Sequence, residues 1–146
     1  MKTFKITKEF AFELGHVLDG HKGKCRNVHG HNYKVLVTVE STTLDDMEMV
    51  IDFYDLSAMI KPNFEEFEHA FAININAKDP FENDIAQLLK KHNRKIINLP
   101  FRTTAENMAK YFFDKIGKSL NCNNYWISKV IVYETPTSYA EYGEKG

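Results

Sequence analysis

Two stretches of strict alternation dictate most of what this chain can fold into. Phe4, Ile6, Phe10, Phe12, Leu14 and His16 all fall on even positions, so in a strand, whose side chains point alternately to opposite faces, they share one face. After a loop containing Gly20 and Gly23, the pattern resumes on odd positions with His29, His31, Tyr33, Val35, Val37 and Val39. If the two strands pair as an antiparallel hairpin, the end of the first lies beside the start of the second. His16 then comes next to His29 and His31, and three imidazoles converge at one end of an apolar face.

The segment "KCRNVHGHNY" adds Cys25 to that end of the hairpin. Three histidines and a thiolate could fill all four positions of a tetrahedral zinc ion as a closed structural site, whereas three histidines alone leave a position open, as catalytic zinc sites do. A structural zinc ion usually stabilises a chain too short to build a core. With 146 residues, 43% of them hydrophobic, this chain has no such need. The open three-histidine site is the favoured reading, and spacing alone leaves a closed site with Cys25, or no metal, as alternatives.

The length suits one domain spanning residues 1–146. A formal net charge of −1 without a long basic run argues against nucleic acid, whose phosphates need clustered Lys and Arg. No stretch approaches the ~20 apolar residues of a membrane span, and "MKTFKITKEF" lacks the apolar core of a secretory signal. The chain reads as cytoplasmic and membrane-free, where a Cys25–Cys122 disulfide is the poorer expectation. From about Asp55, the spacing of Leu56, Ile60, Phe64, Phe67 and Phe71 predicts a helical face, kinked or restarted at Pro62. "KDPFENDIAQLLKKHNRK" predicts a loop, a brief surface helix and a turn. "TTAENMAKYFFDKIGKSL" predicts a helix with Ala105, Met108, Phe112, Ile116 and Leu120 inward and a capping box from Thr103 to Glu106. "YWISKVIVYETPTSYAEY" predicts a strand apolar on both faces, ended by Pro136, then a short edge strand.

The pieces "FELGH", "GKCRNVHGHNY", "VIDFYDL", "FEHAF", "TTAEN" and "YETPTSY", in this order over nearly the whole chain, resemble the family of 6-pyruvoyltetrahydropterin and 6-carboxytetrahydropterin synthases. The resemblance implies an α+β tunnelling fold: a four-stranded antiparallel sheet with helices on one face, trimerising into a barrel, with two barrels often stacked into a hexamer. It implies zinc held by His16, His29 and His31, which acidifies and orients the side-chain hydroxyls of 7,8-dihydroneopterin triphosphate. Cys25 corresponds to the family's catalytic cysteine, a thiolate that moves a proton on the carbon chain and is favoured by nearby cations. Lys22, Lys24 and Arg26 are candidates for such charge and for contact with the triphosphate, although basic loop residues are more commonly a solvated surface.

In "FEHAF" the family usually has Asp before His69; here Glu68 precedes it. The pair would complete a proton relay with the cysteine, and the extra methylene displaces the carboxylate unless the backbone compensates. Read without the resemblance, both would be solvated charges at a helix end. Glu134 corresponds to the pterin anchor, a carboxylate accepting two hydrogen bonds from the pterin ring. Thr103, Thr104 and Glu106 match the segment lining the pterin pocket, although a cap explains Thr103 and Glu106 without a ligand. The Cys-x-x-x-His-Gly-His spacing resembles the bacterial carboxy branch that feeds queuosine synthesis; the pyruvoyl branch typically has a longer gap. A non-catalytic zinc or pterin-binding protein, and a generic three-histidine hydrolase for which Cys25 and Glu134 are dispensable, are the competing readings.

Overall fold

A computed structural model describes residues 1–145. β1 (Phe4–His16) and β2 (His29–Ser41) pair antiparallel over their full length, from Phe4 opposite Ser41 to His16 opposite His29. That is the register the alternation requires. A slip of one residue would turn Phe10, Phe12, Leu14, Tyr33, Val35 and Val37, all buried, onto the wrong face.

The sheet is wider than expected. β5 (Trp126–Thr135) pairs antiparallel with β2, and β6 (Ser138–Gly143) pairs antiparallel with β5. On the other side, β3 (Ala70–Asn74) runs parallel to β1 and β4 (Ile96–Leu99) parallel to β3, giving the order β4-β3-β1-β2-β5-β6. The expectation of four antiparallel strands is therefore corrected: β1, β2, β5 and β6 form such a group, and two short parallel strands extend it into a six-stranded mixed sheet. The physical reason lies at the histidine end of β1, where an open edge would leave main-chain groups unpaired. Leu14 and Gly15 are covered there by Ala70 and Phe71. Gly15 permits the approach, since a Cβ at that position would lie 2.9 Å from the Phe71 ring.

α1 (Phe53–Ile60) begins at Asp52, whose carboxylate accepts the backbone N–H groups of Tyr54 and Asp55. A 3₁₀ turn, Lys61–Phe64, follows where Pro62 interrupts the helical ladder. Leu56, Ile60, Phe64 and Phe67 are buried as their spacing predicts, but Phe71 belongs to β3. The helical period ran one step too far. α2 (Phe81–Lys91) is the brief surface helix. α3 (Ala105–Leu120) buries Ala105, Met108, Phe112, Ile116 and Leu120 against β5 and β6.

The core is aromatic at its centre. Phe12 stacks on Tyr33 and Phe64, with ring centroids 5.2 and 5.7 Å apart, and meets the Phe112 ring nearly edge-on at 5.9 Å. Each buried phenylalanine contributes roughly 1.5–3 kcal/mol of transfer free energy. This packing fixes the inner face of the hairpin, and with it the direction of the histidines at its end. At the start of α3 the cap is Thr104, whose hydroxyl accepts from the Asn107 N–H at 3.2 Å. The expected box from Thr103 to Glu106 is replaced because the Thr103 hydroxyl is engaged with His16.

Candidate functional site

His16, His29 and His31 converge as the hairpin register demands. His16 stands opposite His29 and Leu14 opposite His31. The ring centroids are 4.6 Å apart for His16 and His29, 4.9 Å for His29 and His31, and 5.2 Å for His16 and His31. One nitrogen from each ring lies within 4.8 Å of the other two.

Hydrogen bonds on the far side of two rings set their tautomers. Nδ1 of His16 lies 3.0 Å from the Thr103 carbonyl and 2.9 Å from its hydroxyl. Nδ1 of His29 lies 2.7 Å from the Asn27 carbonyl. An imidazole that donates from Nδ1 presents a bare lone pair at Nε2. The Nε2 atoms of all three histidines are buried and lack a hydrogen-bond partner, which is costly for polar atoms in a dry site. Three unpartnered imidazole nitrogens gathered within 4.8 Å of one another suit a divalent cation such as zinc, and the outer bonds of His16 and His29 are of the kind that orient metal-bound histidines. Cys25 does not join the converging group.

The electrostatics agree. His16 is fully buried, and its pKa is lowered to about 4, chiefly by burial and then by the neighbouring charges of His29 and His31, with the Thr103 bond opposing. Burial also lowers His31; Glu134 pulls it back up, and His29 pushes it further down. Neutral imidazoles are the form that binds a metal.

Glu134, near the end of β5, places Oε2 3.1 Å from His31 Nε2. The contact is an approach of opposite partial charge rather than a hydrogen bond, since the ring nitrogen remains unpartnered. Beside them, His31, Lys34, Tyr133, Glu134 and Thr135 line a cavity of about 380 Å³. Cys25 sits half-buried in a 3₁₀ turn, Lys24–Arg26. Its carbonyl accepts the Leu18 N–H at 2.9 Å, tying the turn to the histidine end of β1. Cys25 and Cys122 are both free thiols. Thr104 caps α3, and Glu106 lies exposed in its first turn. His21 and His92 are exposed.

Glu68 and His69 lie elsewhere. His69 Nδ1 is 2.5 Å from Glu68 Oε1, and Nε2 is 3.1 Å from Glu13 Oε2. Glu13 occupies an odd position of β1, so its side chain leaves the sheet on the face opposite Leu14 and His16. The Glu68–His69 pair and the histidine triad therefore lie on opposite faces of the same end of the sheet.

A family model described as "6-pyruvoyl tetrahydropterin synthase" matches residues 5–145. The chain belongs to the 6-pyruvoyl tetrahydropterin synthase family. It is 41% identical to a 6-carboxy-5,6,7,8-tetrahydropterin synthase of Haemophilus influenzae over 97% of this chain and 99% of that one. It is 35% identical to the enzyme of the same name from Aquifex aeolicus, with 97% and 99% covered. The fold matches the solved 6-pyruvoyl tetrahydropterin synthase of Caenorhabditis elegans with a TM-score of 0.71 at 22% identity, covering 99% of this chain and 98% of that one. An uncharacterised protein of Wolinella succinogenes superposes with a TM-score of 0.82 at 24% identity over 99% and 100% of the two chains. The architecture is thus the tunnelling fold of pterin synthases, with the mixed sheet described above.

Several residues of this site carry little sequence signal. Asn27 contributes only its carbonyl. Thr103 was legible as pocket lining or cap, not as the partner of His16. Tyr33 continues the histidine stripe of β2, yet its hydroxyl is buried without a partner, and its pKa is raised by burial first and then by the charges of Glu134 and Cys25. Glu13 lies on the polar face of β1, where a carboxylate looks like ordinary solvated charge.

Proposed function

We propose that this protein is a zinc-dependent 6-carboxytetrahydropterin synthase that converts 7,8-dihydroneopterin triphosphate to 6-carboxy-5,6,7,8-tetrahydropterin, acetaldehyde and triphosphate in the cytoplasmic route to queuosine. As a member of its family the chain is an enzyme, a carbon–carbon lyase like its named relatives. The observation that carries the reading is the adjacency of Glu134 to His31 of the triad, both lining one cavity. A pterin ring held by the carboxylate can extend its hydroxylated side chain to the three histidines, which is the span this substrate needs.

His16, His29 and His31 are the residues that would hold zinc, and their buried, unpartnered Nε2 atoms fit it. When bound, zinc supplies Lewis acidity toward the side-chain hydroxyls. Thr103 and the Asn27 carbonyl keep the rings in the binding tautomer. Glu134 accepts from the pterin amino group and ring nitrogen. Thr104 and Glu106 at the start of α3 belong to the pterin pocket. Cys25 moves a proton on the carbon chain, and His69, oriented by a carboxylate, exchanges that proton in turn.

Assembly follows from the faces of the sheet. Cys25 lies on the triad's side, close enough to influence the Tyr33 phenol, whereas His69 lies on the other side with Glu13. Thiol and imidazole meet only if a neighbouring copy supplies one of them, which supports trimers or hexamers with shared sites. No helix among the described residues is long and apolar enough to cross a membrane, and the reading involves no nucleic acid.

The test is product analysis of the zinc-loaded protein by mass spectrometry, with acetaldehyde measured in parallel. The carboxy product and acetaldehyde are expected. A pyruvoyl product without acetaldehyde would move the protein to the other branch of its family, and absence of any turnover would make it a binding homologue.

A further inference from the structure

The proton-relay reading of His69 leaves open what holds its ring. The side chain is 71% exposed, so packing does not fix it. The carboxylate that precedes it in sequence, Glu68, is itself 43% exposed and sits on the same connecting segment. Neighbours on one connecting segment move with it and give each other no independent reference. The second ring nitrogen faces Glu13 at 3.1 Å; the Glu13 side chain is 58% exposed, but its backbone stands on the long, fully paired strand β1 opposite Asn32.

We infer that Glu13 is the positioning residue of His69, an inference that rests on the relay reading of His69 given above. Glu13 acts twice. Its main-chain carbonyl accepts the His69 N–H at 2.8 Å, and its side chain takes the ring at Nε2. The first contact matters because His69 has φ of +56°, a left-handed conformation that a residue with a Cβ adopts only when its surroundings impose it. The second determines ring orientation. With Glu68 at Nδ1 and Glu13 at Nε2, the ring has a partner on each of its two nitrogens. Glu13 and Glu68 thus hold the ring between them, with β1 supplying the rigid reference. Glu68 alone, on the same connecting segment as His69, would not define the angle at which the ring meets a substrate or thiol brought by another copy.

Three surface variants of the zinc-loaded enzyme test this. Glu13→Ala should lower kcat about 10- to 100-fold, the usual cost of removing an orienting partner or misplacing a group by an ångström, with KM within about twofold and zinc content unchanged. Glu13→Gln keeps an oxygen acceptor at the same reach and should recover kcat to within roughly threefold of wild type, a rescue that a general loss of structure would not show. Wild-type kcat in Glu13→Ala would overturn the inference, and so would Glu13→Gln as slow as Glu13→Ala, because orientation would then not be what the residue provides. His69→Ala separates the two claims. Full turnover in His69→Ala would remove the relay reading itself, whereas an inactive His69→Ala beside an unaffected Glu13→Ala would remove only Glu13.

Discussion

The histidine triad and the His69 cluster stand at the same end of the same sheet, yet they are built in opposite ways. The triad comes from two long strands in continuous register, with His16 fully buried and two of its rings locked by bonds to backbone carbonyls. The cluster comes from a turn between a 3₁₀ segment and a five-residue strand, with an exposed ring and a backbone in the left-handed region. One is preorganised by the fold core and complete within a chain. The other is assembled from surface contacts and faces outward. The three converging imidazoles are placed on paired strands, while the exposed imidazole of His69 is placed on a connection.

The largest effect expected is at the triad. His29→Ala and His31→Ala should each lose zinc and essentially all turnover while the sheet stays folded, because a site of three protein ligands cannot spare one. Metal analysis with circular dichroism checks this. Full zinc occupancy in both variants would detach the metal from the triad and erase the contrast between the two regions.

Next in size is Cys25→Ala. It should keep zinc and lose turnover by about 10²–10⁴-fold, the range for a general acid–base group. Measuring zinc content and turnover on one preparation distinguishes this from a closed four-ligand site, in which the same change would weaken metal binding and stability together.

What the sequence made legible divides along the same line. The alternation of β1 and β2 specified both the core face and the meeting of His16, His29 and His31, because period-two patterning over thirteen-residue strands leaves one register that buries the apolar side. β3 and β4, at five and four residues, are too short for a period to appear. The helical spacing of Phe64 and Phe67 therefore ran on to Phe71, which is strand. Thr103 and Thr104 are adjacent and chemically alike, so sequence alone could not decide which caps α3 and which binds His16. Glu13 became visible only when the fold brought residues 13 and 69 together. Sites carried by regular elements are readable from periodicity; those carried by turns depend on tertiary contacts that periodicity does not encode.

A pH experiment sharpens the triad's side of the comparison. In the metal-free protein His16 titrates near 4 when folded, against about 6.5 when unfolded. The unfolded chain therefore takes up a proton first as pH falls, and stability drops between about pH 6.5 and 4, by at most roughly 3 kcal/mol from this group. Urea unfolding at pH 7 and pH 4.5 should show the loss, and His16→Gln should reduce it. Equal stability of the wild-type protein at the two pH values would mean that the buried imidazole is not held neutral by the fold.

The smallest effect belongs to the frame of the relay cluster. Lys95, just before β4, donates from Nζ to the carbonyls of Glu65 and Glu68 at 2.7 and 2.6 Å, and its own carbonyl accepts the Phe71 N–H at 3.1 Å. It therefore ties the segment leading into His69 to the strand that follows. The side-chain bonds are solvent-exposed, so water can replace much of what they contribute, and the net loss on removing them is small. Lys95→Met should leave zinc content unchanged and lower kcat by roughly three- to tenfold, through looser placement of a ring that packing does not fix. Steady-state kinetics alongside metal analysis reads both quantities. An unchanged kcat would show that Glu13 and the β3 pairing hold His69 without help from β4, narrowing the relay's frame to β1; a drop in zinc content would show that the two regions are coupled through the sheet rather than built independently.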